Sequence, residues 1–144
     1  MSLKGPIVIV DDDSNDAEVM DAAIKELGIP NETRIMISAQ DALDYLHTTQ
    51  EKPFIILCDI RMPGMDGLAF RSSISNNEHL RKKSIPFIFF TGIVSQGIVN
   101  TAYDMNVQGF YQKSTGYEGI KDQLLTIFMY WKQCLHPNRE LQPV

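Results

Sequence analysis

The sequence predicts an α/β fold, a doubly wound sandwich in which helices cover both faces of a five-stranded parallel sheet. Two observations predict it. Five short apolar runs alternate with stretches of helical spacing, so a strand–helix unit repeats five times along the chain. Three of these runs are apolar at every position, which is typical of strands covered by helices on both faces. Such units join parallel strands through right-handed crossovers.

The strands are placed by the apolar runs themselves. They are expected over residues 7–10, 34–37, 54–58, 87–90 and 109–111. The first, third and fourth are the runs without alternation, and they predict strands with helices covering both faces. The last run is the weakest, because it offers only three residues.

The helices are placed by apolar residues three or four positions apart. The first carries Ala17, Met20, Ile24 and Leu27, the second Ala39, Ala42, Leu43 and Leu46, and the last Ile120, Leu124, Ile127 and Trp131. Two further helices are expected over residues 66–77 and 95–105. Gly28 followed by Pro30 is a typical helix end. The basic residues 81–83 are interpreted as a solvated loop before the fourth strand.

Length, composition and charge predict one domain and disfavour several classes of function. The chain has 144 residues, of which 44% are hydrophobic, and a net charge of −5. We expect a domain over residues 4–135 and a C-terminal tail over 136–144. The negative charge disfavours direct binding of nucleic acid, and no apolar run approaches the roughly 20 residues of a membrane helix. Cys58 and Cys134 lack CxxC spacing, which favours a reducing, cytoplasmic location.

Polar side chains follow four of the predicted strands. Asp11 and Asp12 follow the first strand, Asp59 the third, Thr91 the fourth and Lys113 the fifth. The carboxyl ends of parallel strands meet at one edge, so these side chains should lie together. Clustered carboxylates repel each other unless a cation intervenes, and hard oxygen ligands suit Mg²⁺. A lysine and a hydroxyl beside them suit phosphoryl transfer onto a carboxylate, with Asp59 as the nucleophile.

Four motifs in this order resemble the receiver domain of two-component response regulators. They are residues 11–13, the D-x-x-M-P-x-M-D-G pattern of residues 59–67, the pair Thr91-Gly92, and Lys113. The resemblance covers the chain from about residue 4 to 135 and is closest in kind to single-domain, chemotaxis-regulator-like proteins. It implies a flavodoxin-like (βα)5 fold with strand order 2-1-3-4-5.

The resemblance also implies a phosphorelay function and a role for each site residue. Asp59 would accept a phosphoryl group from a sensor histidine kinase or a phosphotransfer protein. Asp12, Asp59 and the backbone carbonyl of Arg61 would bind Mg²⁺, with Asp11 acting through a metal-bound water. Lys113 and Thr91 would contact the phosphoryl oxygens. The chain would not be an enzyme with an external product, since it would promote only its own phosphorylation and dephosphorylation.

A conformational switch is implied as well. Thr91 would move toward the phosphate and Phe110 would turn inward, changing a protein-binding surface for an unidentified downstream protein. Family members usually carry proline after the lysine, joined by a cis peptide bond. Here Ser114 follows Lys113, and because a cis bond before serine costs about 2.5–4 kcal/mol, we expect a trans bond.

Two other functions stay open from the residues. A degenerate receiver could act as a phosphorylation-independent binding scaffold. A phosphatase of the haloacid dehalogenase type also uses Mg²⁺ and a nucleophilic aspartate after a parallel strand. It is disfavoured because Arg61 stands where that family carries its acid/base aspartate.

Overall fold

The computed structural model describes residues 3–135, and within them the chain forms one five-stranded sheet and six helices. The strands are β1 (Ile7–Val10), β2 (Thr33–Met36), β3 (Ile55–Cys58), β4 (Phe87–Thr91) and β5 (Gly109–Gln112). The helices are α1 (Ser14–Glu26), α2 (Ala39–Thr48), α3 (Gly67–Ser75), α4 (Glu78–Lys82), α5 (Gln96–Asp104) and α6 (Tyr117–Gln133). The predicted tail over 136–144 lies outside the described residues.

All strand pairs are parallel, and the strand order is β2-β1-β3-β4-β5. The expected fold class and strand order are therefore confirmed. The chain runs from β1 outward to β2, then returns past β1 to β3. The order thus reverses between β1 and β3, where α/β sheets open a crevice at the carboxyl ends of the strands.

Five of the ten strand ends differ from the prediction, each by a single residue. β1 lies where it was expected, β3 begins one residue later, and β4 and β5 each end one residue later. β2 is shifted by one residue toward the N-terminus, because Thr33 pairs with Ile7 and Met36 with Val10. As an edge strand that pairs only with β1, β2 is half-buried and its apolar pattern marks its ends poorly.

Two apolar cores lie on the two faces of the sheet, and alternate residues of β1 divide between them. Val8 and Val10 pack with α2–α5, whereas Ile7 and Ile9 pack with α1 and α6. β1, β3 and β4 are buried at every position, as their sequences predicted. Each fully buried aliphatic or aromatic side chain contributes about 1.5–3 kcal/mol relative to an exposed one, so this sheet holds the site on a rigid base.

Side-chain caps and one glycine define the ends of α1. Asp13 Oδ1 accepts hydrogen bonds from the N–H groups of Asn15 and Asp16 at 2.9 and 3.2 Å. Beyond the helix, Gly28 has a φ of +72°, a conformation that side chains with a Cβ disfavour. The predicted helix end at Gly28 is therefore confirmed.

The interpretation of residues 81–83 as a loop was wrong for two of the three positions. Arg81 and Lys82 belong to α4, a helix of five residues. Asn77 caps it by accepting a hydrogen bond from Leu80 N–H at 3.0 Å, and the buried Leu80 side chain fixes it to the core. His79 of this helix stacks on His47 of α2, with ring centroids 6.2 Å apart.

Within residues 3–135, no helix combines the length and apolar character needed to cross a bilayer.

A charged network joins β2 to the segment after α2. The Arg34 guanidinium donates from Nε and Nη2 to the two carboxylate oxygens of Glu51, at 3.1 and 2.6 Å, and Tyr45 Oη donates to Glu51 at 2.8 Å. The hydrogen bonds from Arg34 and then Tyr45 lower the pKa of Glu51 from its usual 4.5. Burial, then the hydrogen bond to Glu51, raises the pKa of Tyr45 to about 12.

This network predicts a pH-dependent loss of stability. The pKa of Glu51 is lower in the folded than in the unfolded chain, so its contribution is present above pH 4.5 and lost as the pH falls through the folded value. Replacing Glu51→Gln should lower the free energy of unfolding by about 1 kcal/mol at pH 7. The difference should disappear in acid, as measured by denaturant titration at several pH values.

The control is Glu32→Gln, since the Glu32 carboxylate also binds Arg34 but its side chain is 75% exposed. It should change stability less than Glu51→Gln at every pH. A Glu51→Gln deficit of equal size at pH 3 and pH 7 would contradict the assignment.

Candidate functional site

The site forms at the carboxyl ends of β1 and β3. Asp59 N–H donates to the carbonyl of Val10 at 2.9 Å, which places Asp59 directly beside the residues that follow β1. Carboxylate oxygens of Asp11, Asp12 and Asp59 all lie within 4.8 Å of one another. Asp11 is buried, Asp59 half-buried and Asp12 exposed. The structure thus brings together the three carboxylates that the sequence placed after two different strands.

Two groups donate hydrogen bonds to the Asp59 carboxylate. Thr91 Oγ1, at the end of β4, lies 2.6 Å from Asp59 Oδ1, and the N–H of Ile60 lies 2.8 Å from the same oxygen. Thr91 is buried, with 1% of its surface exposed. Apart from its two chain neighbours, no described residue has an atom within 4 Å of the Cβ position of Gly92, so the residue after Thr91 leaves open space beside the site.

Lys113 supplies the positive charge at this edge. Its Nζ lies 2.7 Å from Asp11 Oδ2 and 3.5 Å from an oxygen of Asp16. The Lys113 and Asp11 side chains are only 10% and 2% exposed. Asp16 was not predicted as a neighbour, because its approach depends on how the first turn of α1 sits above the sheet.

Burial and ion pairing shift the pKa values of Asp11 and Lys113. Burial raises the pKa of Asp11, against the opposing hydrogen bonds from Lys113 and from Asp13 N–H. Burial alone would lower the pKa of Lys113, but its hydrogen bond to Asp11 and the nearby charges of Asp59 and Asp16 raise it instead. Both shifts favour the protonated form, for Asp11 mainly through burial and for Lys113 through the neighbouring carboxylates.

The donor set fits a hard divalent cation. Three carboxylates at one point offer only oxygen ligands, which Mg²⁺ and Mn²⁺ prefer. Asp12 and Arg61 line one cleft of about 570 Å³, together with Met62, Pro63 and Asp66.

A second cavity of about 430 Å³ lies at the opposite end of the strands, among residues such as Ile56, Leu80, Pro86 and Gln108. It has no acidic lining residue within the described chain, so it offers no comparable metal site.

Behind the site lies a buried cysteine. Cys58 Sγ donates to the backbone carbonyl of Asp59 at 3.0 Å. Burial, followed by the charge of Asp59, raises the pKa of this thiol well above its usual value. Cys134, after α6, is half-buried, and neither cysteine forms a disulfide in the described chain.

Phe110 and the residue after Lys113 complete the predicted site. Phe110, on β5, is half-buried and its ring centroid lies 5.8 Å from that of Phe89. The described residues contain no cis peptide bond, so the expected trans bond between Lys113 and Ser114 is confirmed.

Gln123 of α6 forms hydrogen bonds with the backbone on both sides of Lys113. Its role was missed, since no sequence signal links a helix glutamine to that loop.

The sequence model of the response regulator receiver domain family matches residues 7–125 of this chain. The chain belongs to that family. This match confirms the resemblance drawn from the motifs. It gives no support to the alternative of a phosphatase of the haloacid dehalogenase type.

Two curated proteins of comparable length are similar to this chain over most of its sequence. The receiver domain is 29% identical over 129 residues to "Probable methanogenesis regulatory protein FilR2" of Methanothrix harundinacea, covering 87% of this chain and 82% of that protein. It is 24% identical over 134 residues to response regulator Rcp1 of a Synechocystis species, covering 90% of each.

Solved structures share the fold. The phosphorylated cyanobacterial phytochrome response regulator RcpA superposes with a TM-score of 0.84 at 21% identity, covering 93% of this chain and 99% of that one. The Mn²⁺-bound form of Rcp1 superposes with a TM-score of 0.79 at 22% identity, covering 92% and 99%.

Proposed function

We propose that this receiver domain accepts a phosphoryl group on Asp59 in a Mg²⁺-dependent reaction and thereby switches a protein-binding surface. The observation that carries the proposal is the surroundings of Asp59. Its carboxylate lies beside Asp11 and Asp12 and receives a hydrogen bond from Thr91 at 2.6 Å. Charge neutralisation and positioning dominate phosphoryl transfer, and this edge of the sheet can supply both.

The metal would be held by Asp11, Asp12, Asp59 and the backbone carbonyl of Arg61, with Asp11 acting through a water. When bound, Mg²⁺ supplies neutralisation of the phosphoryl oxygens. Two observations support a divalent ion here: the cluster of three carboxylates offers only oxygen ligands, and Rcp1, which shares this fold, has a Mn²⁺-bound form.

In the transfer step, a carboxylate oxygen of Asp59 attacks the phosphorus of a phosphohistidine on a sensor kinase or phosphotransfer protein. The new P–O bond forms as the P–N bond breaks, and the electron pair of that bond stays with the departing imidazole. Lys113 balances charge on the phosphoryl oxygens. The chain promotes this step and the later hydrolysis of its own aspartyl phosphate, in which water attacks the phosphorus, the bond to the Asp59 oxygen breaks and inorganic phosphate leaves.

The switch would start at Thr91. Its hydroxyl donates to Asp59 in this structure and would turn to a phosphoryl oxygen after transfer. Phe110, packed against Phe89, would then fill the vacated space. The moving surface would comprise α5, β5 and α6, and it would bind a downstream protein rather than nucleic acid, in the cytoplasm.

Incubation with Mg²⁺ and acetyl phosphate tests the proposal. Intact mass should show one added phosphoryl group on the wild-type chain, none on Asp59→Asn and none after chelation. Among residues 3–135, Asp59 is the member of the acid cluster whose carboxylate accepts a hydrogen bond from a hydroxyl group. Asp104→Asn, an exposed acid at the end of α5, is the matched control and should accept the group normally. Absence of uptake, together with no spectral response to beryllofluoride, would instead favour the phosphorylation-independent scaffold.

A further inference from the structure

The loop between β5 and α6 decides where the Lys113 ammonium lies. Lys113 N–H donates to the carbonyl of Thr91 at 2.8 Å, and Nζ reaches Asp11 at 2.7 Å. The side chain is long and flexible, so its direction depends on the backbone that carries it. A group that holds the peptide units on either side of Lys113 therefore also controls the position of its ammonium at the site.

Gln123 contacts the backbone on both sides of Lys113. Its Oε1 accepts a hydrogen bond from Ser114 N–H at 3.1 Å, and its Nε2 donates to the carbonyl of Gln112 at 2.7 Å. One side chain from α6 thus bridges the two peptide units that flank the lysine. This bridge needs an N–H at position 114, which a proline there would lack.

Gly119 allows α6 to come close enough for this bridge. It lies four residues before Gln123, so both project from the same side of α6. A Cβ built at Gly119 would lie 1.9 Å from Ser114 Oγ and 2.6 Å from Ser114 Cβ. Position 119 therefore accepts no residue larger than glycine unless the loop that carries Ser114 moves.

We infer that Gln123 is a positioning residue for phosphoryl transfer, which holds Lys113 in place by bridging Gln112 and Ser114. The inference rests on the proposed function of Asp59. Gln123 acts through the lysine and touches neither Asp59 nor the reacting group. Gln123 restricts the loop from a separate helix, whereas a rigid residue directly after the lysine would restrict it from within.

The test compares two glutamines that make the same kind of contact. Gln123→Leu should slow phosphoryl uptake from acetyl phosphate about tenfold at saturating Mg²⁺, since two hydrogen bonds that hold the loop are lost. Gln108→Leu is the matched control. Gln108 also bridges two backbone groups, Phe87 N–H at 2.6 Å and the Asn106 carbonyl at 3.0 Å, but at the far end of the strands. It should leave the rate unchanged.

Two further measurements separate positioning from general stability. Gln123→Glu keeps an acceptor for Ser114 and loses the donor to Gln112, so its uptake rate should lie between those of wild type and Gln123→Leu. Hydrogen exchange at the Ser114 amide should be faster in Gln123→Leu and unchanged in Gln108→Leu.

The outcomes are distinct. A wild-type rate in Gln123→Leu, with faster Ser114 exchange, would overturn the positioning role alone. Equal slowing in Gln123→Leu and Gln108→Leu would also overturn it, because the effect would then follow stability. Absence of uptake by the wild-type chain would overturn the proposed function, while Ser114 exchange would still report whether Gln123 holds the loop.

Discussion

A Gly67→Ala variant is expected to lose about 3 kcal/mol of unfolding free energy and, with it, most of its phosphoryl uptake. A Cβ at Gly67 would lie 2.3 Å from the backbone carbonyl oxygen of Asp59, 2.9 Å from Ile60 Cα and 3.0 Å from the Phe89 ring. Two of these atoms are backbone, and Gly67 N–H is bonded to the Ile60 carbonyl at 2.8 Å. The added methyl group therefore has to move the peptide that carries the phosphoacceptor.

Denaturant titration and uptake per mole of folded protein measure the two effects separately. Gly97→Ala is the matched control, because it is also a glycine near a helix start and, apart from its own stretch of helix, no described atom lies within 4 Å of its Cβ position. It should be neutral or slightly stabilising, given the better helix propensity of alanine. Wild-type stability in Gly67→Ala would show that the close approach between α3 and the end of β3 is absent.

A Lys113→Met variant is expected to show two changes of opposite sign. Without Mg²⁺ it should lose about 3 kcal/mol of stability, because the Asp11 carboxylate, 2% exposed, would remain buried without its cation. Its affinity for Mg²⁺ should rise about tenfold, since the three carboxylates would no longer share a positive neighbour. Denaturation in chelator and over a Mg²⁺ titration measures both.

Lys25→Met provides the control for removal of a lysine from an ion pair. Lys25 binds Asp21 at 2.9 Å on the surface of α1, with 73% of its side chain exposed. Its loss should change stability by no more than about 0.5 kcal/mol and leave Mg²⁺ affinity unchanged. Weaker Mg²⁺ binding in Lys113→Met would contradict the expectation that the Lys113 ammonium, 2.7 Å from Asp11, competes with the cation for these carboxylates.

Much of the fold was predictable from the pattern of apolar residues. Runs that are apolar at every position can be buried only between two layers of helices, so β1, β3 and β4 followed directly. The site followed from the same logic, because a residue just after a strand lies at the carboxyl edge of the sheet. Asp11, Asp12, Asp59, Thr91 and Lys113 were all found in this way, and all five lie at that edge.

The remainder depends on contacts that no local pattern records. Helix α4 has five residues and one fully buried side chain, Leu80, which is too short for a helical period to appear. The bridge from Gln123 to the Lys113 loop depends on the angle at which α6 meets β5. Gly67 matters because the backbone of Asp59 and Ile60 approaches its Cα closely. A glycine in a sequence does not show which atoms of the folded chain approach it.

The contrast between the two cysteines gives this protein a built-in means of labelling. Cys58 is fully enclosed, and its thiol is held in the unreactive protonated form at neutral pH. Cys134, half-buried beyond the end of α6, is the accessible sulfur of the pair. A thiol-directed fluorophore would thus attach to Cys134, beside the last helix and away from the chemistry at Asp59. Modification of Cys58 would instead report molecules in which the central strand β3 has opened.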